Sequence, residues 1–170
     1  MAIKIRPATP HDGPALSRIC LLTADAGQTA EHLHDFPELP GLVWAVPYLN
    51  LPTTWGFVME EDSGEVVGYI VGSSNTRVYE DYAREHLWPV LTKKYPPSIA
   101  VKPADQHYTQ LLQKMRVLPE TTLAFAPAHL HIDILGGYQK QGWGRKLIET
   151  AVEYLRCEGE SVFTDATIYI

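Results

Sequence analysis

The chain has 170 residues, of which 45% are hydrophobic and 20% are charged, and its formal net charge is −6. This length and composition are typical of one soluble globular domain, here residues 1–170. The negative charge argues against nucleic acid and anionic membranes as partners, because the overall field repels both. The sequence shows neither a membrane-spanning apolar run nor a signal peptide, and Cys20 and Cys157 have no metal or redox spacing. We therefore expect a protein of the cytoplasm, or of the nucleus by diffusion.

The N-terminal third combines a strand and a helix with an irregular segment. Apolar and charged residues alternate over 3–6, which predicts a short strand, and a helix is predicted to begin near Gly13. Residues 23–52 contain four prolines and should form short helices and loops. His32 and His34 form a His-x-His pair there without a third or fourth ligand. We expect polar loop residues rather than a metal site.

The middle of the chain is predicted to hold a β-hairpin and then a helical insertion. Residues 54–60 and 65–73 are rich in β-branched and aromatic side chains and flank a short acidic turn that contains glycine. Residues 75–127 exceed an ordinary connection between strands. Apolar spacing predicts one amphipathic helix from Tyr79 to Leu91 and a second near Asp105 to Met115. We expect them to form a lid or wall beside an active site.

The segment 128–159 carries most of the functional information. Residues 129–135 alternate, so Leu130, Ile132 and Ile134 share one face of a predicted strand, opposite His129, His131 and Asp133. From residue 147 onward the apolar side chains recur at helical spacing. The sequence therefore predicts a strand, a turn and an amphipathic helix in succession.

Two glycines, Gly142 and Gly144, stand at the entrance of this predicted helix. They leave room for a ligand close to the backbone, and the first-turn N–H groups have no intrahelical acceptor. Together with the helix dipole, this pattern predicts an anion site that suits a diphosphate. A Walker loop is excluded because Trp143 replaces its lysine, and a dinucleotide-binding loop fits poorly because the third glycine is absent.

The motif Gln139-x-x-Gly142-x-Gly144 resembles the acetyl-coenzyme A signature of the GCN5-related N-acetyltransferases (GNAT superfamily). The sequence IRPATPHD at 5–12 is similar to the start of the same family. The resemblance implies an α/β fold with a mixed central sheet flanked by helices, and acetyl-CoA as co-substrate without a metal. It assigns cofactor contacts to the following residues: Ile134, Leu135, Gln139, Lys140, Gln141, Gly142, Trp143, Gly144 and Arg145.

A narrower resemblance involves the insertion. The sequences WP at 88–89, KKY at 93–95 and VLPET at 117–121, leading into LHIDI at 130–134, are similar to the acetyltransferase-like C-terminal domain of O-GlcNAc hydrolases and its stand-alone microbial relatives. That branch includes domains that keep the fold without a dependable cofactor site. The intact glycine motif indicates that this chain retains one.

The resemblance implies transfer of an acetyl group from acetyl-CoA to an amine by direct attack. Backbone N–H groups around Ile134 and Leu135 would bind the pantetheine arm and the thioester oxygen. Asp133 and His131 share a strand face and are the best candidates for the general base. A structural role for Asp133 as a hydrogen-bond acceptor is an equal alternative, and solvated or core-edge roles are favoured for His129 and His131.

The end of the chain departs from the family pattern. A complete member continues into a fifth strand, a further helix and more strands, whereas here only residues 161–170 follow, including Tyr169. We expect a fold that lacks the last helix and strands, with a sheet edge that a homodimer would complete. The function predicted is an acyl-CoA N-acyltransferase with a small-molecule or peptide amine as acceptor. The alternatives are an inactive acetyltransferase-like module that binds acetyl-CoA or a protein, and a nucleotide-binding protein of another fold.

Overall fold

The computed structural model describes residues 2–115 and 117–157. Four strands form one sheet in the order β1-β2-β3-β4, and every neighbouring pair is antiparallel. The strands are β1 (Ile3–Pro7), β2 (Thr54–Glu61), β3 (Val66–Ser73) and β4 (His129–Ile134). The helices are α1 (Gly13–Thr23), α2 (Leu39–Trp44), α3 (Thr76–His86), α4 (Trp88–Lys94), α5 (Pro103–Gln113), α6 (Glu120–Phe125) and α7 (Trp143–Cys157).

The predicted hairpin and the predicted first helix are confirmed. Strands β2 and β3 pair from Thr54 opposite Ser73 as far as Glu60 opposite Val66, around the acidic glycine turn. Helix α1 begins at Gly13, where the chain turns after the first strand. Just before it, Asp12 accepts hydrogen bonds from the Arg6 guanidinium and from the Thr9 N–H, which fixes the connection between strand and helix.

The sheet separates two apolar layers. On one face, α1 and the segment around Tyr48 pack against Val58, Tyr69 and Val71. On the other face, α7 packs against Phe57 and Ile70 together with other buried side chains. Burying apolar area on both faces is what makes a sheet of this size stable. None of the helices in the described residues is long and apolar enough to cross a bilayer.

The insertion differs from its prediction in one respect. The single helix predicted from Tyr79 to Leu91 is wrong, because α3 ends at His86 and α4 begins at Trp88. Pro89 lies in the first turn of α4, where its ring replaces an N–H that has no helical acceptor. The break turns α4 onto α5 and α2, and the three helices share a third apolar cluster. The predicted second helix is present as α5.

The two histidines of the His-x-His pair occupy different environments, and the insertion contacts one of them. His32 is exposed, whereas His34 is buried and its Nδ1 lies 2.7 Å from Oδ1 of Asp105 in α5. The other Asp105 oxygen accepts the Asp35 N–H at 2.7 Å. His34 is therefore a structural residue that ties the N-terminal loop to the insertion. The described residues contain no group of three His, Cys, Asp or Glu side chains that could hold a metal ion.

The described sheet ends at β4. The mixed sheet implied by the family would need a further strand beyond the four antiparallel ones. The fifth strand predicted at 161–170, with Tyr169, lies outside the described residues, and the predicted homodimer stays a prediction.

Candidate active site

Strand β4 presents two different faces, as its alternation predicted. Leu130 lies in the apolar cluster beneath α7, and Ile132 and Ile134 pack against the same cluster. His129, His131 and Asp133 point to the opposite side, towards α1 and the segment around Tyr48. The polar groups of the candidate site are therefore held on one face of an otherwise apolar strand.

Asp133 is held by a tyrosine from the neighbouring strand. The Tyr69 hydroxyl donates a hydrogen bond to Oδ2 of Asp133 across the β3–β4 pair. Burial raises the pKa of Asp133, and this hydrogen bond opposes part of the rise. A carboxyl group whose pKa is raised towards neutrality is better matched to accept a proton from a substrate. Asp133 thus has both the position and the direction of pKa shift expected of a general base.

Both strand histidines contact one buried hydroxyl. The Tyr48 oxygen lies 2.8 Å from Nε2 of His129 and 3.1 Å from Nε2 of His131. The other ring nitrogen of His129, Nδ1, lies 2.8 Å from Oγ1 of Thr76. The Tyr48 ring stacks on Tyr79 at 4.9 Å between centroids. The four groups from Thr76 to His131 therefore form one continuous chain of hydrogen bonds.

Both histidines in this hydrogen-bond network, His129 and His131, are neutral at physiological pH. Burial lowers the pKa of His129 to about 3 and that of His131 to about 4. The protons of this network can all point from His131 towards Thr76 or all point the opposite way, and the Tyr48 oxygen can also accept a proton from each ring. In the first, Nδ1 of His131 is an unprotonated acceptor, and in the second it carries a proton. The network thus couples the tautomer of His131 to Tyr48.

The glycine turn has the backbone geometry of a ligand-binding loop. Gly142 has a φ of +83°, a conformation that side chains with a Cβ adopt only with strain. Helix α7 begins at the next residue, Trp143, and its first intrahelical bond runs from the Lys146 N–H to the Gly142 oxygen at 3.2 Å. A Cβ added at Gly144 would meet only the tip of Ile134, at 3.9 Å. The space that a side chain would fill at Gly144 is therefore uncrowded.

Side chains on both sides of the turn hold it in place. The Tyr138 hydroxyl donates to Glu61 at the end of β2. Gln139 donates to the Ile134 oxygen at 2.7 Å, and Gln141 donates to the Gly137 oxygen at 2.8 Å. Both glutamines of the motif thus organise the loop through backbone oxygens. Lys140 adopts a φ of +59°, so the loop makes a second left-handed turn just before Gly142.

The positively charged side chains in the first turn of α7 interact with other residues of the same helix. Arg145 donates to Glu149 at 2.7 Å one turn along the helix, and the Lys146 ammonium lies 3.9 Å from the centre of the Trp143 ring. Both are exposed. Backbone donors rather than these side chains are consequently the fixed part of the predicted diphosphate site.

One predicted cofactor contact needs correction. The Leu135 N–H donates to the Val67 oxygen at 3.0 Å, so this amide faces β3 and cannot bind a ligand. Antiparallel pairs alternate between hydrogen-bonded and open positions, which turns the N–H of the preceding residue, Ile134, away from β3. Of the two backbone N–H groups predicted to bind the cofactor, only that of Ile134 therefore points away from β3.

Two cavities adjoin the polar face of β4. The larger has a volume of about 640 Å³ and extends below α3, α4 and α5, while the smaller has about 380 Å³ and lies beside α1. Trp44 and His131 line both cavities. Asp133, Ile134 and Gln139 line the smaller one. The candidate base therefore meets two of the predicted cofactor contacts in the smaller cavity.

Several site residues escaped sequence analysis. Tyr48 and Tyr69 contact the β4 side chains but lie in segments that looked like a loop and an ordinary strand. Cys20, which lines the smaller cavity, looked like one apolar position of α1. Burial, with a contribution from Asp133, raises the pKa of Cys20 to about 12. No local spacing links these residues to β4, so their contacts depend on the folded chain.

No family model matches the chain. Its structure is similar to that of SsHAT, with 31% sequence identity and a TM-score of 0.81, over 94% of this chain and 80% of SsHAT. GCN5-related N-acetyltransferases from Kribbella flavida and Ralstonia eutropha JMP134 share the fold at 18% and 16% identity, each with a TM-score of 0.51. The matches cover 94% and 99% of this chain and 68% and 84% of those chains, respectively. The chain therefore belongs to the GCN5-related N-acetyltransferase superfamily and has its α/β fold.

Proposed function

We propose that this protein transfers an acetyl group from acetyl-CoA to a primary amine by direct attack. The observation that carries the proposal is that the candidate base and the first residue of the glycine motif line the same cavity. Asp133, Ile134 and Gln139 line the smaller cavity, and Gln139 begins the glycine motif that leads into α7. Membership of the superfamily and the motif around Gly142 support acetyl-CoA as the donor.

Each part of the cofactor has a matching group in this proposal. The diphosphate binds the first-turn N–H groups of α7, where an anion is favoured by the free donors and by the helix dipole. The pantetheine arm follows the outer edge of β4. The thioester oxygen accepts the Ile134 N–H, which stabilises the negative charge that develops during attack.

The chemistry then uses the polar face of β4. The neutral amine nitrogen attacks the thioester carbonyl carbon, a C–N bond forms, the C–S bond breaks, and the coenzyme A thiolate leaves. Asp133 takes the proton from the attacking nitrogen, and His131, in contact with Tyr48, orients the amine. The high pKa of Cys20 keeps this thiol protonated and a poor nucleophile, which favours direct attack over an acetyl-cysteine intermediate.

Binding and turnover test the proposal separately. Coenzyme A at about a hundred times its dissociation constant should stabilise the protein by about 2.7 kcal/mol, whereas NAD and ATP should not. Thiol release from acetyl-CoA with a panel of amines then measures transfer. Stabilisation by coenzyme A without amine-dependent thiol release would instead identify a non-catalytic binding module.

Gly144 provides a matched pair of variants for the cofactor site. Gly144→Asp places a carboxylate where the diphosphate is proposed to lie, so the affinity for coenzyme A should fall at least tenfold, about 1.4 kcal/mol. Gly144→Ala adds only a methyl group in ordinary van der Waals contact with Ile134 and should bind coenzyme A within about twofold of the parent. Isothermal titration calorimetry measures both. Equal affinity in the two variants would place the cofactor elsewhere.

A further inference from the structure

The larger cavity is mainly aromatic and apolar. Trp44, Tyr48, Tyr79 and Trp88 contribute rings to its wall, and Leu111 is one of several aliphatic side chains that complete it. A volume of about 640 Å³ is in the range of pockets that enclose a small organic molecule. The cavity adjoins the smaller one through Trp44 and His131. The rings of these two residues are 5.4 Å apart between centroids, so a molecule in the larger cavity ends beside His131, two residues before Asp133 on the same strand face.

The charged groups of this wall are already paired or lie at its rim. Glu80 accepts the Leu118 N–H at 2.9 Å and the Arg77 guanidinium at 2.5 Å. Arg84 is exposed and donates to Asp81 at 2.6 Å. Lys114 is exposed at the rim. The two histidines at the floor are neutral, since burial lowers the pKa of both.

Among the described residues that line this cavity, no uncompensated carboxylate is available to a cationic body. Moving a charge from water into such a space without a partner is strongly unfavourable, whereas an apolar body gains free energy by leaving water. In the smaller cavity the only carboxyl group of the described residues is that of Asp133. One charge at the amine end is therefore compensated, and charges farther along an acceptor are not.

We infer that the acceptor is a small molecule in which one primary amine is joined to an aromatic or branched aliphatic body. The body occupies the larger cavity, and the amine lies at the end of this cavity beside Trp44 and His131, on the side of Asp133. This assignment rests on the proposed acetyl transfer and specifies its acceptor. It excludes polyamines and lysine-bearing peptides as acceptors, because both would place additional polar or charged groups in the apolar cavity.

Binding without chemistry is the first test. With no acetyl-CoA present, 2-phenylethylamine and its non-reactive N-acetyl derivative should raise the melting temperature and change the tryptophan fluorescence, because Trp44 and Trp88 line the cavity. Spermidine and a lysine-bearing peptide should do neither. With acetyl-CoA, kcat/KM for 2-phenylethylamine should exceed that for spermidine at least tenfold.

Leu111 allows the polarity of the cavity to be changed. This side chain is partly buried on α5 and lines the wall. Leu111→Glu should lower kcat/KM for 2-phenylethylamine at least tenfold and raise that for spermidine, with coenzyme A affinity unchanged. Leu111→Met conserves volume and polarity and should stay within about twofold. If Leu111→Glu does not fold, Val117→Glu at the rim, where the side chain is 49% exposed, makes the same comparison.

The outcomes separate this inference from the proposed function. Faster transfer to spermidine or to the peptide than to 2-phenylethylamine, unaltered by a carboxylate in the cavity, would overturn the inference while acetyl transfer stands. Binding of the N-acetyl derivative that depends on residue 111, without any transfer, would uphold the apolar ligand site and overturn the enzymatic proposal.

Discussion

The two faces of β4 are built from alternate residues of the same six-residue strand, yet they serve opposite purposes. The face with Leu130 lies in one apolar cluster with Leu147 of α7. The face with His131 and Asp133 holds polar groups that are largely removed from water and bonded to tyrosines. Burial stabilises the fold on the first face and shifts pKa values on the second. Alternate residues of one strand can therefore stabilise the fold on one face and position reactive groups on the other.

The largest expected effect concerns Asp133. Asp133→Asn keeps an acceptor for the Tyr69 hydroxyl but cannot take a proton, so kcat should fall by about 10²- to 10⁴-fold at neutral pH. Burial raises the pKa of the parent Asp133, so its ionised form is disfavoured by folding. This carboxyl group stabilises the folded state most below its unfolded pKa and loses that contribution as pH rises. At pH 7 the variant should therefore be at least as stable as the parent.

The measurements for Asp133 are thiol-release kinetics and urea denaturation at pH 7. In the parent, activity should also fall as the pH drops through the raised pKa of this group. If the variant loses stability but keeps its kcat, Asp133 is a structural hydrogen-bond acceptor, which is the alternative role that the sequence suggested.

The next effect is the response of stability to pH. The folded pKa values of His129 and His131, about 3 and 4, lie below the unfolded value, so only the unfolded chain binds these protons between about pH 4 and 6.5. The contribution of these two histidines to stability is thus fully present above pH 6.5 and is lost as the pH falls. We expect a loss of about 2 kcal/mol per histidine between pH 7 and 5, or about 4 kcal/mol for both.

Urea denaturation at the two pH values measures this loss. The double variant His129→Asn, His131→Gln removes both titrating groups, so its stability should change less over the same range. An equal pH dependence in parent and double variant would mean that both histidines titrate normally in the folded protein.

The smallest effect belongs to the apolar face. Leu147 is fully buried beneath α7, and Leu147→Ala should reduce the free energy of unfolding by about 3 kcal/mol at both pH 7 and pH 5. The independence from pH is the contrast with the histidine face. A loss that grows in acid would show that the two faces are coupled rather than separate.

Parts of the fold and site could be predicted because their signals are local. The hairpin, α1 and the succession from β4 to α7 follow from apolar periodicity and glycine position within short windows. The break between α3 and α4 was missed because the apolar spacing continues across Leu87, while tertiary packing on α5 decides the direction of the chain. The Leu135 N–H was misassigned because strand register, and not alternation, sets which amides face a neighbour.

The sequence by itself determined the superfamily motif, the two faces of β4 and the glycine entrance of α7, because these depend on residues within one or two turns of each other. Only the tertiary structure decided which hydroxyls meet the strand. Tyr48 lies 81 residues before His129, and Tyr69 lies 64 residues before Asp133. Burial and hydrogen bonding between such distant segments set the pKa values and the neutral aromatic cavity, and neither property exists until the chain has folded.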